Sequence, residues 1–354
     1  IMKKITKKIE IAGKCIGYGC PVFIIAEAGV NHNGDIEIAK KMVDAAFEAG
    51  ADAIKFQTFS AETLVTKNAK QADYQIENIG RKESQFEMLK RLELKREHYA
   101  GLKDYTEKKG IMFLSTPFSE SDVDFLDELG VPLFKIGSSD TNNLPFLQHV
   151  VAKGRPMIVS TGMSDLNDVI EAVATIRKFG NENIVVLHCT SQYPTPMYEV
   201  NLLAMLTMQE KCDVLVGYSD HTAGVEVPIA AVALGATVIE KHFTLDKNME
   251  GPDHKASLEP NELKAMVKAI RNIEKALGSS EKKASQITRK VAEVAQKSLI
   301  AARDIKAGEI IKKSDIVIKR PGTGIKPKQL EEVIGKKTLV NIPADTIIKW
   351  EDIE

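Results

Sequence analysis

An eightfold alternation of short apolar runs with amphipathic stretches constrains the fold more than any other feature. The apolar runs occupy residues 22–26, 52–56, 111–115, 133–136, 157–160, 184–188, 214–218 and 237–240. Such runs are typical of parallel strands that are buried on both faces. Eight consecutive β–α units predict a (β/α)₈ barrel, a TIM barrel, over residues 15–278. A doubly wound open sheet is the structural alternative, and eight units in series favour the barrel.

The character of the sequence changes after residue 278. Residues 279–290 open with Ser279-Ser280-Glu281-Lys282-Lys283, which is small and charged and predicts a linker. Residues 291–354 then alternate short apolar runs with glycine and proline turns. We therefore predict a catalytic barrel domain at 1–278, a linker at 279–290, and a small strand-rich domain at 291–354.

Charge and cysteine content narrow the possible partners and compartment. The net charge of −1 does not favour nucleic acid or an anionic membrane. The longest uncharged apolar stretch, 227–239, is shorter than the roughly 20 residues that a membrane-spanning helix needs. The basic segment 2–8 is not followed by an apolar stretch, so a signal peptide is not expected. The four cysteines fit neither a zinc site nor a disulfide scaffold, which favours the cytoplasm.

Polar residues crowd the C-terminal ends of the predicted strands. In a (β/α)₈ barrel these ends carry the active site. Five of the seven histidines lie there, namely His32, His188, His221, His242 and His254. The sequence therefore predicts a functional site at this rim of the barrel.

Two of these histidines, His221 and His242, follow neighbouring strands. Neutral imidazoles from adjacent strand ends can bind one divalent metal and leave positions for water and substrate. The alternative is that each is simply a buried, hydrogen-bonded histidine. Glu240 lies on the same strand face as His242, where it could orient a ligand, bind the metal or transfer a proton.

Two lysines, Lys55 and Lys135, lie inside otherwise apolar strands, where an unpaired charge is costly. They could bind an anionic substrate, form a Schiff base, or pair with Glu27 or Glu240. Nearby hydroxyl groups suit the oxygens of a phosphate, although each could equally begin a helix. The hydroxyl residues are Thr116, Ser138, Ser160 and Ser219.

Taken in order, the strand-end segments resemble those of the bacterial sialic acid synthase family, whose members carry a C-terminal antifreeze-like (SAF, β-clip) domain. The segments are Ile25-Ala26-Glu27-Ala28-Gly29-Val30-Asn31-His32-Asn33-Gly34, Lys55-Phe56-Gln57, Ser115-Thr116-Pro117-Phe118, Phe134-Lys135-Ile136-Gly137-Ser138, Ser160-Thr161-Gly162-Met163, His188-Cys189-Thr190-Ser191-Gln192-Tyr193-Pro194, Gly217-Tyr218-Ser219-Asp220-His221, Glu240-Lys241-His242-Phe243, Gly251-Pro252-Asp253 and Lys319-Arg320-Pro321-Gly322. The resemblance covers nearly the whole chain, with the SAF domain at about 291–354.

The resemblance implies condensation of phosphoenolpyruvate with open-chain N-acetylmannosamine and water, with release of phosphate. It implies that Mn²⁺ or Mg²⁺ is bound by His221 and His242. The implied phosphoenolpyruvate contacts are Lys55, Thr116, Lys135, Ser138, Ser160 and Ser219. The implied sugar contacts are Glu27, Gln57, Asn78, Tyr193, Asp253 and Arg320. The implied catalytic residues are Glu240, Glu27 and Lys135.

The resemblance also implies a domain-swapped homodimer, in which Arg320 reaches the partner's active site. Several sugars remain open, including N-acetylmannosamine 6-phosphate, the diacetylated precursor of legionaminic acid, and the sugars of the pseudaminic acid and spore-coat branches. A metal-free Schiff-base aldolase is the rival enzyme. A non-enzymatic alternative is an ice- or carbohydrate-binding protein, and the polar rim of the barrel argues against it.

Overall fold

The computed structural model describes residues 7–354, and the chain divides into two compact units at the boundary between Gly278 and Ser279. Residues 2–6 of the basic N-terminal segment lie outside the described part. Within residues 7–354, no helix has the length and apolar character needed to cross a membrane.

Eight parallel strands form the first unit and confirm the predicted barrel. They are β3 (Phe23–Gly29), β4 (Ala53–Thr58), β5 (Met112–Pro117), β6 (Phe134–Ile136), β7 (Met157–Ser160), β8 (Ile184–His188), β9 (Leu215–Asp220) and β10 (Val238–His242). Their order around the sheet is β5-β4-β3-β10-β9-β8-β7-β6. The end strands β5 and β6 lie side by side, and no ladder between them is seen in residues 7–354, so the barrel is nearly closed.

Helices connect the strands and form the outer layer. They are α1 (Ile36–Ala49), α2 (Ala61–Leu64), α3 (Asp73–Ile79), α4 (Gln85–Leu92), α5 (Tyr99–Lys109), α6 (Glu120–Leu129), α7 (Leu144–Val151), α8 (Leu166–Lys178), α9 (Ala204–Cys212), α10 (Glu226–Ala233) and α11 (Pro260–Leu277). Local chemistry explains the ends of α1. The Asp35 side chain accepts hydrogen bonds from the backbone N–H groups of Glu37 and Ile38, and Gly50 ends the helix at φ 84°.

The inward face of the barrel changes from apolar to polar along each strand. In β3, Ile24 and Ala26 pack outward against the helices, whereas Phe23 and Ile25 pack inside the barrel, and Glu27 ends the inward face. Because side chains alternate along a strand, every second residue lies on the inward face. That face therefore holds core residues at the start of the strand and site residues at its end. Inward polar residues close the other strands in the same way: Lys55 and Gln57, Thr116, Lys135, Ser160, Ser219, and Glu240 with His242.

A β-hairpin that the sequence analysis did not predict packs against the apolar end of the barrel interior. It consists of β1 (Lys8–Ile11) and β2 (Lys14–Gly17), joined at Ala12 and Gly13, whose φ angles of 46° and 78° suit a two-residue hairpin turn. Its apolar side chains belong to the same buried cluster as the inward residues at the starts of the strands, namely Ile9, Ile11 and Ile16.

Two of the four cysteines form a disulfide, although the cysteine count predicts no disulfide scaffold. Cys15 of the hairpin is bonded to Cys20, five residues later. Cys189 and Cys212 are free and buried. A single local bond of this kind is not a scaffold, which explains why the cysteine count did not reveal it.

The second unit, residues 279–354, has its own small core. It contains α12 (Gln286–Ala295), β11 (Ser298–Ala301), β12 (Ile316–Lys319) and α13 (Leu330–Val333). Strands β11 and β12 pair antiparallel, and isolated bridges join the remaining extended segments. Helix α12 begins inside the span predicted as a linker, because Ser285 accepts a hydrogen bond from the N–H of Thr288 and starts the helix there.

Candidate functional site

The inward polar residues surround a cavity of about 430 Å³ at the C-terminal ends of the barrel strands. Twelve of the fifteen site residues predicted from the sequence line it. They are Glu27, Lys55, Gln57, Thr116, Lys135, Ser138, Ser160, Tyr193, Ser219, His221, Glu240 and His242. Residues more than 200 positions apart therefore meet because each ends a strand of the same barrel.

A cluster of four buried charges forms the floor of the cavity. Lys55 Nζ lies 2.6 Å from Glu27 Oε2 and 3.7 Å from Glu240 Oε2. Lys135 Nζ lies 3.7 Å from Glu240 Oε1. All four residues are at most 5% exposed. The ion-pair alternative for the two lysines is therefore realised, and it leaves both ammonium groups facing the cavity.

Burial and mutual attraction set the protonation of this cluster. Burial raises the pKa of Glu27 to about 7, and Lys55 only partly counteracts the effect. Burial would also raise the pKa of Glu240, but Lys135 and Lys55 hold it below its usual value. Burial lowers the pKa of Lys135. The pKa of Lys55 is raised, because the attraction of Glu240 and Glu27 exceeds the opposing effect of burial.

Hydroxyl groups extend the cationic floor. Lys55 Nζ donates to Thr116 Oγ1 at 3.0 Å, and Lys135 Nζ donates to Ser160 Oγ at 2.6 Å. On the facing side, Ser219 Oγ donates to Glu240 Oε1 at 2.9 Å. Charge-assisted donors held in this way suit a small ligand with several anionic oxygens.

His221 and His242 face each other across the end of β9 and β10, with ring centroids 5.5 Å apart. Burial lowers the pKa of both imidazoles, which keeps them neutral and able to bind a metal. His221 Nδ1 lies 2.7 Å from the Thr190 carbonyl oxygen, which leaves its Nε2 for a ligand. His242 Nδ1 and Glu240 Oε2 are buried without a hydrogen-bond partner among the described residues.

This donor set fits a weakly held divalent ion. Within residues 7–354, no group of three or more histidine, cysteine, aspartate or glutamate side chains is arranged to hold a metal. The protein would therefore supply two imidazoles, and water and substrate oxygens would fill the other positions.

The other three rim histidines have structural partners. His188 Nε2 lies 2.9 Å from the Val200 carbonyl oxygen and lines a separate cavity. His254 Nδ1 lies 2.6 Å from Thr244 Oγ1. His32 is buried against Phe56. Strand-end position alone did not distinguish these residues from the pair that faces the cavity.

The outer wall of the cavity contains residues that the sequence analysis did not assign to the site. Tyr74 and Gln75, at the start of α3, line it, and the Tyr74 ring lies 5.3 Å from that of Tyr193. Tyr193 in turn packs on His221, with ring centroids 4.2 Å apart. The remaining unassigned residues are Ala72, Gln85, Phe118, Gly137, Ser139, Met163 and Ser191. Helix α3 lies in a long connection after β4, away from any strand-end signal.

Three predicted sugar contacts do not line the cavity. Asn78 Nδ2 donates to the Pro252 carbonyl oxygen at 2.6 Å, so Asn78 holds the loop that carries Asp253. Asp253 is 9% exposed, and it adds to the larger effect of burial in raising the pKa of Tyr74. Arg320 is exposed and belongs to the second unit.

Asp253 leads to a prediction about stability. Burial raises its pKa to about 6, so the folded protein favours the protonated carboxyl, and that contribution is lost as pH rises from about 4 through 6. Asp253→Asn keeps a neutral side chain at every pH. We expect the variant to gain about 2 kcal/mol of unfolding free energy relative to the unmodified chain between pH 4.5 and 7.5. Urea unfolding at both values measures this gain, and a difference that does not change with pH would contradict it.

Comparisons with known proteins give consistent results. The NeuB family model matches residues 42–282, and the SAF domain model matches residues 296–354. The N,N'-diacetyllegionaminic acid synthase of Legionella pneumophila is 47% identical over 342 residues, which cover 96% of each chain. The human N-acetylneuraminate-9-phosphate synthase is 40% identical over 344 residues, 97% of this chain and 95% of that protein. The crystal structure of N-acetylneuraminic acid synthetase from Leptospira borgpetersenii superposes with a TM-score of 0.72 at 35% identity, covering 81% of this chain and 95% of that one.

Proposed function

Because this chain belongs to the NeuB family, we propose that it condenses phosphoenolpyruvate with an N-acetylated amino sugar and water, in a reaction that needs Mn²⁺ or Mg²⁺ and releases phosphate. One observation carries the proposal. Two buried lysines with hydroxyl partners, and two neutral imidazoles, meet in a single cavity of about 430 Å³. The first set suits the phosphate and carboxylate of phosphoenolpyruvate, and the second suits a metal beside an aldehyde.

The anionic substrate would lie on the floor of the cavity. Lys55 with Thr116 and Lys135 with Ser160 would bind its phosphate and carboxylate, because fixed donors need no reorganisation during the reaction. Ser138 Oγ accepts from the Gly162 N–H at 2.9 Å and lies 3.3 Å from Cys189 Sγ. With the Cys189 thiol as the donor in that contact, the Ser138 hydroxyl hydrogen can be donated to the substrate. Ser219, bonded to Glu240, would complete this subsite.

The chemistry follows from placing the two substrates side by side. The methylene carbon C3 of phosphoenolpyruvate forms a bond to the aldehyde carbon, and the aldehyde oxygen takes up a proton to become a hydroxyl. Water adds at C2 and gives up a proton. The C2–O bond to phosphate then breaks as the C2 hydroxyl loses its proton and the carbonyl forms. A metal held by His221 and His242 would supply Lewis-acid polarisation of the aldehyde oxygen. Glu240 is an ionised carboxylate between two ammonium groups, where it can accept a proton from the attacking water. Glu27, with Gln57 3.4 Å away, would bind a sugar hydroxyl.

The outer wall favours a sugar without a phosphate. Lys55 and Lys135 are the only lysine or arginine residues of the described chain that line the cavity, and both lie on its floor. Within this chain a sugar phosphate would meet tyrosine, glutamine and phenylalanine side chains, which carry no positive charge, and Arg320 of the partner subunit would be the single cation near it. Amide and aromatic groups suit acetamido and methyl substituents, and the Legionella relative makes a diacetylated product. We therefore place the diacetylated hexosamine ahead of N-acetylmannosamine, and both ahead of its 6-phosphate.

We further propose a homodimer in which Arg320 of the partner subunit completes the sugar subsite. Helix α12 supports association, because Ile287, Val291 and Val294 share one face and are 57–77% exposed. An apolar strip of this kind is typically covered in the functional assembly. Met163, on the cavity wall, is also 62% exposed.

Phosphate release from phosphoenolpyruvate tests the proposal directly. We expect Mn²⁺-dependent release with the diacetylated hexosamine, weaker release with N-acetylmannosamine, and loss of both on addition of EDTA. Fastest release with the 6-phosphate would overturn the choice of sugar. Turnover that resists EDTA, together with borohydride trapping of substrate on Lys135, would instead establish the Schiff-base aldolase.

A further inference from the structure

Three polar residues form a fully buried cluster on the outer side of the barrel wall, behind the two imidazoles. Lys241 Nζ lies 2.5 Å from Asp220 Oδ2 and also donates to the Thr222 carbonyl oxygen. Asp220 Oδ1 accepts from the N–H of Thr222 at 3.1 Å and from its hydroxyl at 2.9 Å. All three residues are completely buried. We call Asp220, Thr222 and Lys241 the rear cluster.

The rear cluster adjoins both imidazoles along the chain. Asp220 and Thr222 flank His221, and Lys241 directly precedes His242. Lys241 and Asp220 are also paired across β10 and β9. Because side chains alternate along a strand, Lys241 points away from the cavity while His242 and Glu240 point into it. The cluster therefore joins the two strand ends that carry the histidines, on the side of the barrel wall away from the cavity.

Contacts outside the rear cluster also hold the His221 segment in place. The His221 carbonyl oxygen accepts from the Thr195 N–H at 2.8 Å, and His221 Nδ1 lies 2.7 Å from the Thr190 carbonyl oxygen. These contacts orient the ring but do not connect it to β10. Besides the backbone ladder between β9 and β10, only the Lys241–Asp220 pair, in the described chain, joins side chains of residues directly next to the two histidines.

We propose that Lys241, Asp220 and Thr222 are positioning residues that set the spacing of His221 and His242 and thereby the affinity for a divalent metal. The inference rests on the proposed function, since it concerns the metal that this function requires. A fully buried ion pair is weak evidence for a role in stability alone, because an apolar pair of similar volume often stabilises as well. A role in register between two ligand-bearing strands explains why charged groups occupy this position.

The test measures Mn²⁺ binding to the full chain by the electron paramagnetic resonance signal of free Mn²⁺. Lys241→Met alone would leave the Asp220 charge buried, so the main variant is Lys241→Met with Asp220→Asn, which removes both charges. We expect its Mn²⁺ dissociation constant to rise about 10- to 100-fold, the range typical of groups that orient metal ligands. Lys241→Arg, which can still pair with Asp220, should recover part of the affinity.

A matched control uses an ion pair far from the imidazoles. Arg271 Nη2 lies 2.8 Å from Asp52 Oδ2, just before β4 begins, and Asp52→Asn should lower the melting temperature without changing the Mn²⁺ dissociation constant. A double variant that loses stability but keeps the original Mn²⁺ affinity overturns the inference and leaves the proposed function standing. Absence of His242-dependent Mn²⁺ binding in the unmodified chain overturns the proposed function itself.

Discussion

His242→Ala is expected to abolish metal-dependent turnover, with phosphate release falling by roughly a thousandfold or more. The variant removes one of two imidazoles, and a metal held by one protein side chain dissociates readily. Loss of Lewis-acid polarisation costs several kcal/mol of transition-state stabilisation, and each 1.4 kcal/mol is about a factor of ten in rate. Phosphate release at increasing Mn²⁺, together with direct Mn²⁺ titration, measures both effects.

His188→Ala is the matched control, because His188 also ends a barrel strand but contacts the Val200 carbonyl oxygen instead of the cavity. We expect it to lower stability while the Mn²⁺ dissociation constant stays unchanged. Full activity in His242→Ala would remove the metal assignment. Equal loss of Mn²⁺ binding in both variants would show that the effect comes from damage to the rim and not from a lost ligand.

Arg320→Ala and His242→Ala are expected to complement each other when the two chains assemble in one dimer. Each variant alone should be nearly inactive, with Arg320→Ala losing about a hundredfold through poor positioning of the sugar. If Arg320 acts on the partner's barrel, a mixed dimer contains one site with both residues intact. Random assembly makes half of the dimers mixed, so about a quarter of the sites should be active.

Two different affinity tags allow the mixed dimers to be isolated and their phosphate release measured. Mixed dimers with no recovered activity would show that Arg320 serves its own barrel or neither barrel. The separately purified variants, mixed briefly without exchange of subunits, provide the baseline. The same preparation tests the homodimer, since a monomeric protein yields no complex that carries both tags.

Most of the cavity could be predicted because its signal is local. A lysine, glutamate or histidine that interrupts or ends an apolar run is visible in the sequence, and the barrel brings all such positions to one rim. Lys55 and Lys135 show the limit of that signal. Their burial was predictable from the apolar runs around them, and Glu27 and Glu240 were among the possible partners. Which lysine contacts which glutamate depends on the order of strands around the barrel.

The unpredicted residues belong to segments whose placement depends on tertiary contacts. Tyr74 and Gln75 reach the cavity because α3 folds back over the rim, and nothing at their own positions marks that path. Asn78 lies four residues after Tyr74 on the same helix, one turn further from the cavity, where it contacts Pro252. A displacement of one turn along α3 therefore separates a residue that lines the site from one that supports its loop.

The N-terminal hairpin has a consequence for the order of events in a reaction cycle. With Ile9, Ile11 and Ile16 packed against the apolar end of the barrel interior, ligands must enter and leave through the opposite end. Lys55 and Lys135 are at most 3% exposed, whereas Met163 on the cavity wall is 62% exposed and marks the open side of the cavity. For the proposed reaction we therefore expect phosphoenolpyruvate to bind before the sugar, and phosphate to leave only after the new sugar acid has moved aside.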